Sequence, residues 1–336
     1  MIPAPYLLYL GHSDDAVGIK TSRGLAAFRR DACVGEWRHD DSPLTLGLSR
    51  LDPVAARAAG ARTLVLGIAN AGGRLAPALI EDALAAIAAG LDVAAGLHQR
   101  LREEPRLVAA AAAAGVALHD VRDPPSDLRV GDGRPRAGKR LLTVGTDCSV
   151  GKMYATLCLR DELRARGVAA DFRATGQTGI LIAGEGVPVD AVVADFISGA
   201  IEALAPARDD DGWDLIEGQG SLFHPSFAGV TTGLLHGAQP TALLLCHDPS
   251  RAHMRGLPHY ALPDLEECLA AHLAVARLTS PAVRAVGVAL NTAALDEAAA
   301  RRLCDETAAR LALPCTDPYR FGASPIADGM LACFAP

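Results

Sequence analysis

The chain has 336 residues, half of them apolar and 4% aromatic, and a net charge of −7 at pH 7. Its length admits two domains, each with its own core. The acidic balance argues against a nucleic-acid surface, which would carry a basic stripe. No apolar run reaches the length of a membrane span, and the N-terminus lacks the basic stretch of a secretion signal. Eight cysteines (33, 148, 158, 246, 268, 304, 315 and 333) are scattered without a C-x-x-C pair. That usage predicts reduced thiols, a cytoplasmic setting and neither a disulfide frame nor a zinc site. The expected partner is a small molecule, not nucleic acid or membrane, and a homo-oligomer is the default at this size.

The N-terminal part alternates strand and helix. Strands are expected at Tyr6–Leu10, Thr63–Ile68, Leu91–Ala95 and Val116–Val121. Helices are expected at Ser22–Arg30, Ala78–Ala89 and Pro105–Ala114. A glycine-rich loop, Ala69–Arg74, follows the second strand without forming G-x-G-x-x-G, so nicotinamide dinucleotide binding is weakly supported. Arg122–Gly138 is rich in proline and glycine and lacks periodicity, which predicts a linker. Beyond it, strands are expected at Leu141–Val144, Val168–Ala174, Trp213–Ile216, Thr241–Cys246 and Val283–Leu290. Helices are expected at Met153–Arg164, Pro188–Leu204, Thr232–Gly237, Leu265–Leu278 and Leu295–Leu311. The fold class is therefore α/β, with two domains, 1–137 and 138–336, each a mainly parallel sheet flanked by helices.

The segment from Lys139 to Met153 carries the clearest chemistry. An apolar strand runs into Gly145, Thr146, Asp147, Cys148, Ser149, Val150, Gly151 and Lys152, and a helix starts at Met153. Strand, glycine-bounded loop and helix N-terminus form an anion cradle, in which loop N–H groups converge and the helix dipole adds positive charge. This places 138–336 in a P-loop NTPase-like fold. Only Lys20, Lys139 and Lys152 are lysines among 32 basic residues, so a lysine at this point is selective. The spacing departs from G-x-x-x-x-G-K-[ST] by one residue, and Met153 replaces the hydroxyl that would hold Mg²⁺. The loop is expected to hold a phosphorylated compound without splitting ATP.

Other polar clusters also fall at strand ends, where ligands of open parallel sheets bind. Glu217-Gly-Gln-Gly220 offers a carboxylate to a metal or a reacting amine, and Gln219 and His224 crowd the same loop. His224 is expected to be the general base, with His247 or Glu217 next. Thr175, Gln177 and Thr178 would position a substrate, and Arg251 and Arg255 would grip carboxylates or phosphates, with Arg173 joining them where the substrate is a dicarboxylate. Any metal would take Glu217 and Asp195, the latter expected in one helix with Asp190 and Glu202.

Gly145 to Lys152 resembles the phosphate loop of dethiobiotin synthetase, including the longer spacing. Glu217-Gly-Gln-Gly and Val286-Gly-Val-Ala-Leu-Asn291 are similar to its glutamate–glycine loop and its base-reading asparagine. The resemblance implies a cofactor contact at Asn291. A second resemblance covers nearly the whole chain. Leu66 to Gly73, Ala95-Gly-Leu-His98, Asp120-Val-Arg122, Thr175 to Gly179, Ala194 to Ala200 and Glu217 to Pro225 are similar to a bacterial two-domain family. That family joins a Rossmann-like N-terminal domain to a phosphate-loop C-terminal domain. It includes D-glutamate N-acetyltransferases, which use acetyl-coenzyme A in D-amino-acid catabolism. The resemblance implies an N-acetyltransferase whose loop, Gly145 to Met153, holds acetyl-coenzyme A. Two alternatives remain: an ATP- and Mg-dependent ligase or kinase of the dethiobiotin synthetase type, and a nucleotide sensor without turnover.

Overall fold

The computed structural model describes residues 2–68 and 73–334. Residues 69–72 of the expected glycine-rich loop lie outside the described residues. The chain forms two compact units. One comprises Met1–Asp123 and Gln177–Pro188, and the other Pro124–Gly176 and Val189–Pro336.

In the first unit, β1 (Tyr6–Gly11), α1 (Lys20–Phe28), β2 (Cys33–Arg38), α2 (Pro53–Ala58) and β3 (Thr63–Leu66) are followed by α3 (Pro77–Ala88), β4 (Asp92–Ala95), α4 (Pro105–Ala114) and β5 (Leu118–Asp120). The five strands are parallel, in the order β2-β1-β3-β4-β5. Alternate residues Leu7, Tyr9, Leu64, Leu66, Val93 and Ala95 enter one core with Leu79, Ala83, Ala86 and Ile87 of α3 and Leu107 and Ala111 of α4. β2 was not anticipated, because Cys33–Arg38 carries Gly35, Glu36 and Arg38 in place of an apolar run. Its Glu36 is buried and receives Thr45 Oγ1 at 2.7 Å and the Leu46 N–H at 2.6 Å.

The second unit starts with β6 (Lys139–Gly145), α5 (Lys152–Ala165) and β7 (Ala170–Arg173). The chain then enters α6 (Gln177–Ala183), which belongs to the first unit, and returns through α7 (Ile197–Leu204), β8 (Trp213–Ile216), α8 (Ala228–Ala238) and β9 (Ala242–His247). A short hairpin, β10 (His253–Met254) and β11 (Leu257–Ala261), precedes α9 (Leu265–Ala276), β12 (Arg284–Leu290), α10 (Glu297–Leu311), β13 (Cys315–Thr316) and α11 (Ser324–Cys333). Six parallel strands stand in the order β13-β12-β9-β6-β8-β7. The sheet grows from β6 first toward β8 and β7, then reverses through β9. The reversal sets the carboxyl ends of β6, β8 and β9 around one crevice, the usual ligand position in such sheets. Ala155, Leu159 and Leu163, four residues apart on α5, pack into the core with Leu141, Trp213, Leu244 and Ile326.

Three expectations are corrected. Gln177 begins a helix rather than continuing a loop, because Thr178, Leu181 and Ile182 are buried, with Thr178 Oγ1 3.0 Å from Thr21 Oγ1 and Arg29 donating to Ile182 O at 2.6 Å. Asp190, Asp195 and Glu202 do not share a helix. Short 3₁₀ turns at Val189–Ala191 and Ala194–Phe196 precede α7. The supposed linker is pinned to the second unit: the N–H groups of Asp132 and Gly133 donate to Glu202 at 3.0 Å, and Gln239 Nε2 donates to Gly133 O at 2.9 Å.

A charge cluster fixes the β7–β8 edge. Asp214 is fully buried on β8, and its Oδ1 receives Arg173 at 2.8 Å and Arg208 at 2.9 Å. Asp214→Ala would leave both guanidinium groups without their buried counter-charge. Breaking such a pair costs about 3 kcal/mol or more. Urea denaturation of the variant should show a lower midpoint; an unchanged midpoint would mean that the cluster contributes nothing to stability.

Candidate active site

The loop after β6 turns back on itself with Ser149 at φ 55° and Gly151 at φ 103°. Both lie in the left-handed region, where glycine is free and serine is strained. The strained serine is held from outside: its carbonyl accepts from the Arg251 guanidinium, and its Oγ accepts from Arg255 Nη1 at 3.0 Å. Gly151 caps α5 and offers no side-chain acceptor to the first-turn N–H groups. Those donors and the positive end of a 14-residue helix face the crevice.

Lys152 is buried, 6% exposed. Its ammonium donates to Asp147 O and Gly220 O, each at 2.8 Å, so it ties the β6 loop to the β8 loop. Burial pushes its pKa down. Behind it, Thr156 Oγ1 donates to Lys152 O at 2.7 Å and lies 3.1 Å from Thr143 Oγ1, which accepts the Gly218 N–H at 2.9 Å. Thr143 and Thr156 escaped the sequence reading, although a hydroxyl inside the apolar run of β6 was a signal. Gly218 is required here, since a Cβ on it would stand 1.7 Å from Thr143 O.

Glu217, at the end of β8, is buried. Its Oε2 accepts the Thr175 N–H at 3.0 Å and the Gly176 N–H at 3.1 Å, and Gln219 bonds the same carboxylate. Thr175 Oγ1 donates to Glu217 O at 2.6 Å. Burial outweighs these bonds and the Lys152 charge, and raises its pKa to about 7. A carboxyl poised there exchanges protons at neutral pH, which suits general acid–base work.

Asp147 is fully buried and fully engaged. Oδ1 accepts the Cys148 N–H at 2.6 Å, and Oδ2 accepts Arg251 Nη1 at 2.9 Å and the Arg255 N–H at 2.7 Å. Arg251 Nη1 also donates to Cys148 O at 3.0 Å. The hairpin segment is thus latched to the loop by one ion pair and a set of backbone bonds. On the far side, Thr146 Oγ1 lies 2.9 Å from His247 Nδ1, and Ser221 Oγ donates to Thr146 O at 3.1 Å. Asn291 reaches the loop as well: its Cβ would stand 3.8 Å from a Cβ on Gly151, and its Nδ2 donates to Asp248 at 3.3 Å.

His224 is buried beside Phe227, with ring centroids 4.5 Å apart. The Ser226 N–H donates to its Nδ1 at 3.1 Å. A backbone N–H can only donate, so Nδ1 has no proton and Nε2 carries it in the neutral ring. In that tautomer Nε2 of His224 is a donor rather than a lone pair. A ring nitrogen of His224, a carboxylate oxygen of Asp147 and Cys148 Sγ lie within 4.8 Å of one another. That set has the chemistry of metal ligands. A dication there would, however, stand against the positive charges of Arg251 and Lys152, both already held at Asp147.

Several expected residues are placed elsewhere. Gln177 and Thr178 lie in the first unit, on α6. Arg173 is bound to Asp214. Asp195 is exposed in a 3₁₀ turn, and neither it nor Glu217 joins a metal-ligand cluster among the described residues. Met153 is half-buried in the first turn of α5.

Residues 129–327 match a P-loop domain of unknown function, DUF1611_C, and residues 32–124 match its companion Rossmann-like domain, DUF1611_N. The chain belongs to the DUF1611 family. A D-glutamate N-acetyltransferase from Tritonibacter scottomollicae is 50% identical over 99% of this chain and 100% of its own length. A D-glutamate N-acetyltransferase from a Pseudoalteromonas species is 44% identical over 97% of this chain and 98% of its own length. A DUF1611 family protein from Anabaena variabilis, known by crystal structure, is 35% identical and superposes with a TM-score of 0.89 over 98% of this chain and 100% of its own. The α/β class and the phosphate-loop domain of this DUF1611 protein agree with the sequence expectation. No described helix is long and apolar enough to cross a membrane.

Proposed function

We propose that the chain is a D-glutamate N-acetyltransferase that takes its acetyl group from acetyl-coenzyme A, with the reaction centred on the loops after β6 and β8. The reading is carried by the likeness, over nearly the whole of both chains, to two proteins of that name. The geometry supplies the parts the reaction needs. The attacking amine of an amino acid is protonated at neutral pH; in this reading Glu217 takes that proton, supported by the raised pKa of its buried carboxyl, about 7. Charge that develops on the acetyl oxygen meets the N–H groups at the start of α5, the Lys152 ammonium and the His224 donor.

The same geometry refines the role of the phosphate-type loop. Glu217, His224, Cys148 and Lys152 crowd the loop itself. Coenzyme A carries its phosphates a whole pantetheine arm away from its thioester. The thioester end of the cofactor therefore enters the Gly145–Met153 loop during transfer, and the loop serves charge formed in the reaction. Arg255, whose guanidinium meets only the Ser149 hydroxyl among the bonds described above, borders this position and offers a cation to a dicarboxylate acceptor, while Arg251 is spent on Asp147.

Incubation with acetyl-coenzyme A and D-glutamate should release free coenzyme A and yield N-acetyl-glutamate by mass spectrometry, with L-glutamate and Mg-ATP as parallel reactions. No thiol release with D-glutamate, or turnover only with Mg-ATP, would overturn the proposal.

A further inference from the structure

Among the eight cysteines, Cys148 occupies a distinctive place. Cys246 and Cys268 are sealed in the interior, and burial pushes both thiols up to about 12, as it does Cys158. Cys148 is half-buried, in the loop that leads into the N-terminus of α5. The Lys152 ammonium is its electrostatic neighbour. Asp147, which would oppose a thiolate, is neutralised by Arg251 at 2.9 Å. A ring nitrogen of His224 lies within 4.8 Å of Cys148 Sγ. A helix N-terminus with an adjacent ammonium is the setting that favours a thiolate. A donor beside it is what a thioester carbonyl needs when it is attacked.

We propose that Cys148 is the catalytic nucleophile and that acetyl transfer proceeds by double displacement through S-acetyl-Cys148; this rests on the acetyltransferase reading above. In the first half, Cys148 Sγ bonds to the acetyl carbonyl carbon. The bond from that carbon to the sulfur of coenzyme A breaks, and the departing thiolate takes the proton that Cys148 gives up. In the second half, the ammonium of the acceptor loses one proton to the Glu217 carboxylate. The neutral amine then attacks the acetyl-cysteine carbonyl. The carbon–sulfur bond to Cys148 breaks, the second amine proton returns to the Cys148 sulfur, and Glu217 releases its proton to water. His224 donates from Nε2 to the oxyanion in both halves, while its Nδ1 stays with the Ser226 N–H. The scheme also accounts for a loop of this type without the metal-holding hydroxyl: at Met153 no Mg²⁺ is needed for thioester exchange.

The test uses the full chain with acetyl-coenzyme A and no amine. The expected result is coenzyme A release limited to one equivalent per chain and a peptide containing Cys148 heavier by one acetyl group. Addition of D-glutamate should remove that mass. Labelled coenzyme A should exchange into acetyl-coenzyme A without acceptor, and double-reciprocal plots should be parallel. Cys148→Ser and Cys148→Ala should retain the native melting curve, abolish the exchange and lower kcat by about 10³-fold or more. The proposal is overturned if Cys148→Ala keeps wild-type turnover, or if the wild-type chain exchanges no label until an acceptor is present. An acetylated Cys148 in a protein that ignores D-glutamate would leave this proposal standing and overturn the acceptor assignment instead.

Discussion

Glu217→Gln is expected to lower kcat by about 10²–10⁴-fold, the range for loss of a positioned general base, with a smaller change in acetyl-coenzyme A affinity. Glutamine keeps an oxygen to accept the Thr175 and Gly176 N–H groups, so the loop should hold its shape. The wild-type rate should rise with pH through about 7, where Glu217 loses its proton, and the variant should lack that limb. Stability gives an independent check. Burial raises the folded pKa from 4.5 to about 7, so the folded state binds the proton more tightly than the unfolded one. The stabilisation is complete below the unfolded value and is lost as pH rises through 7. At pH 8 the ionised group costs about 3 kcal/mol, because each tenfold difference in proton affinity between the folded and unfolded chain is worth about 1.4 kcal/mol. The variant should therefore be more stable than wild type at pH 8, and the gap should close toward pH 4.5. A full rate with an intact acid limb would remove Glu217 from the chemistry.

Lys152→Met is the second large effect. The substitution keeps a long unbranched side chain and removes the charge. It leaves Asp147 O and Gly220 O without their donor, at about 1–3 kcal/mol each. Against this stands relief from keeping a desolvated ammonium in a site that is 6% exposed, a penalty of several kcal/mol. The two effects nearly cancel, so the melting temperature should move by only a few degrees. Activity should fall about 10²–10³-fold, as when one oxyanion donor is lost. Steady-state assays and calorimetry on the same preparation separate the two. A native rate would show that the lysine serves only to tie the β6 and β8 loops.

The central strands and the long helices between them were legible in the chain because both sheets are parallel and those strands read as buried apolar runs, whereas the short elements α2, the β10–β11 hairpin, β13 and α11 went unread. The phosphate-type loop was legible because strand, Gly151, Lys152 and helix are contiguous. β2 was hidden because its inward position Glu36 is polar and satisfied by Thr45 and Leu46. The split of Thr175 from Gln177 and Thr178 was hidden because local composition cannot say which core a short apolar helix will join. Which ring nitrogen of His224 carries the proton turns on one backbone N–H, that of Ser226, which no residue pattern reveals. The same holds for the approach of Cys148 to His224: the two are far apart in sequence and meet only because β6 and β8 are neighbours.

The excursion of α6 has a consequence for how the molecule is made. The first unit is not finished when Asp123 has been synthesised, because its buried residues Leu181 and Ile182 are still to come. By the time Pro188 leaves the ribosome, β6, α5 and β7 already exist without β8 and β9 to pair with. Chains fold from the N-terminus as they emerge, one domain after another where domains are continuous. Here the nascent chain must hold an incomplete first core and an unpaired β6 at once. A fragment beginning at Pro124 would carry α6 with its apolar face uncovered, so dissecting this protein into its halves at one cut should yield an aggregating C-terminal piece.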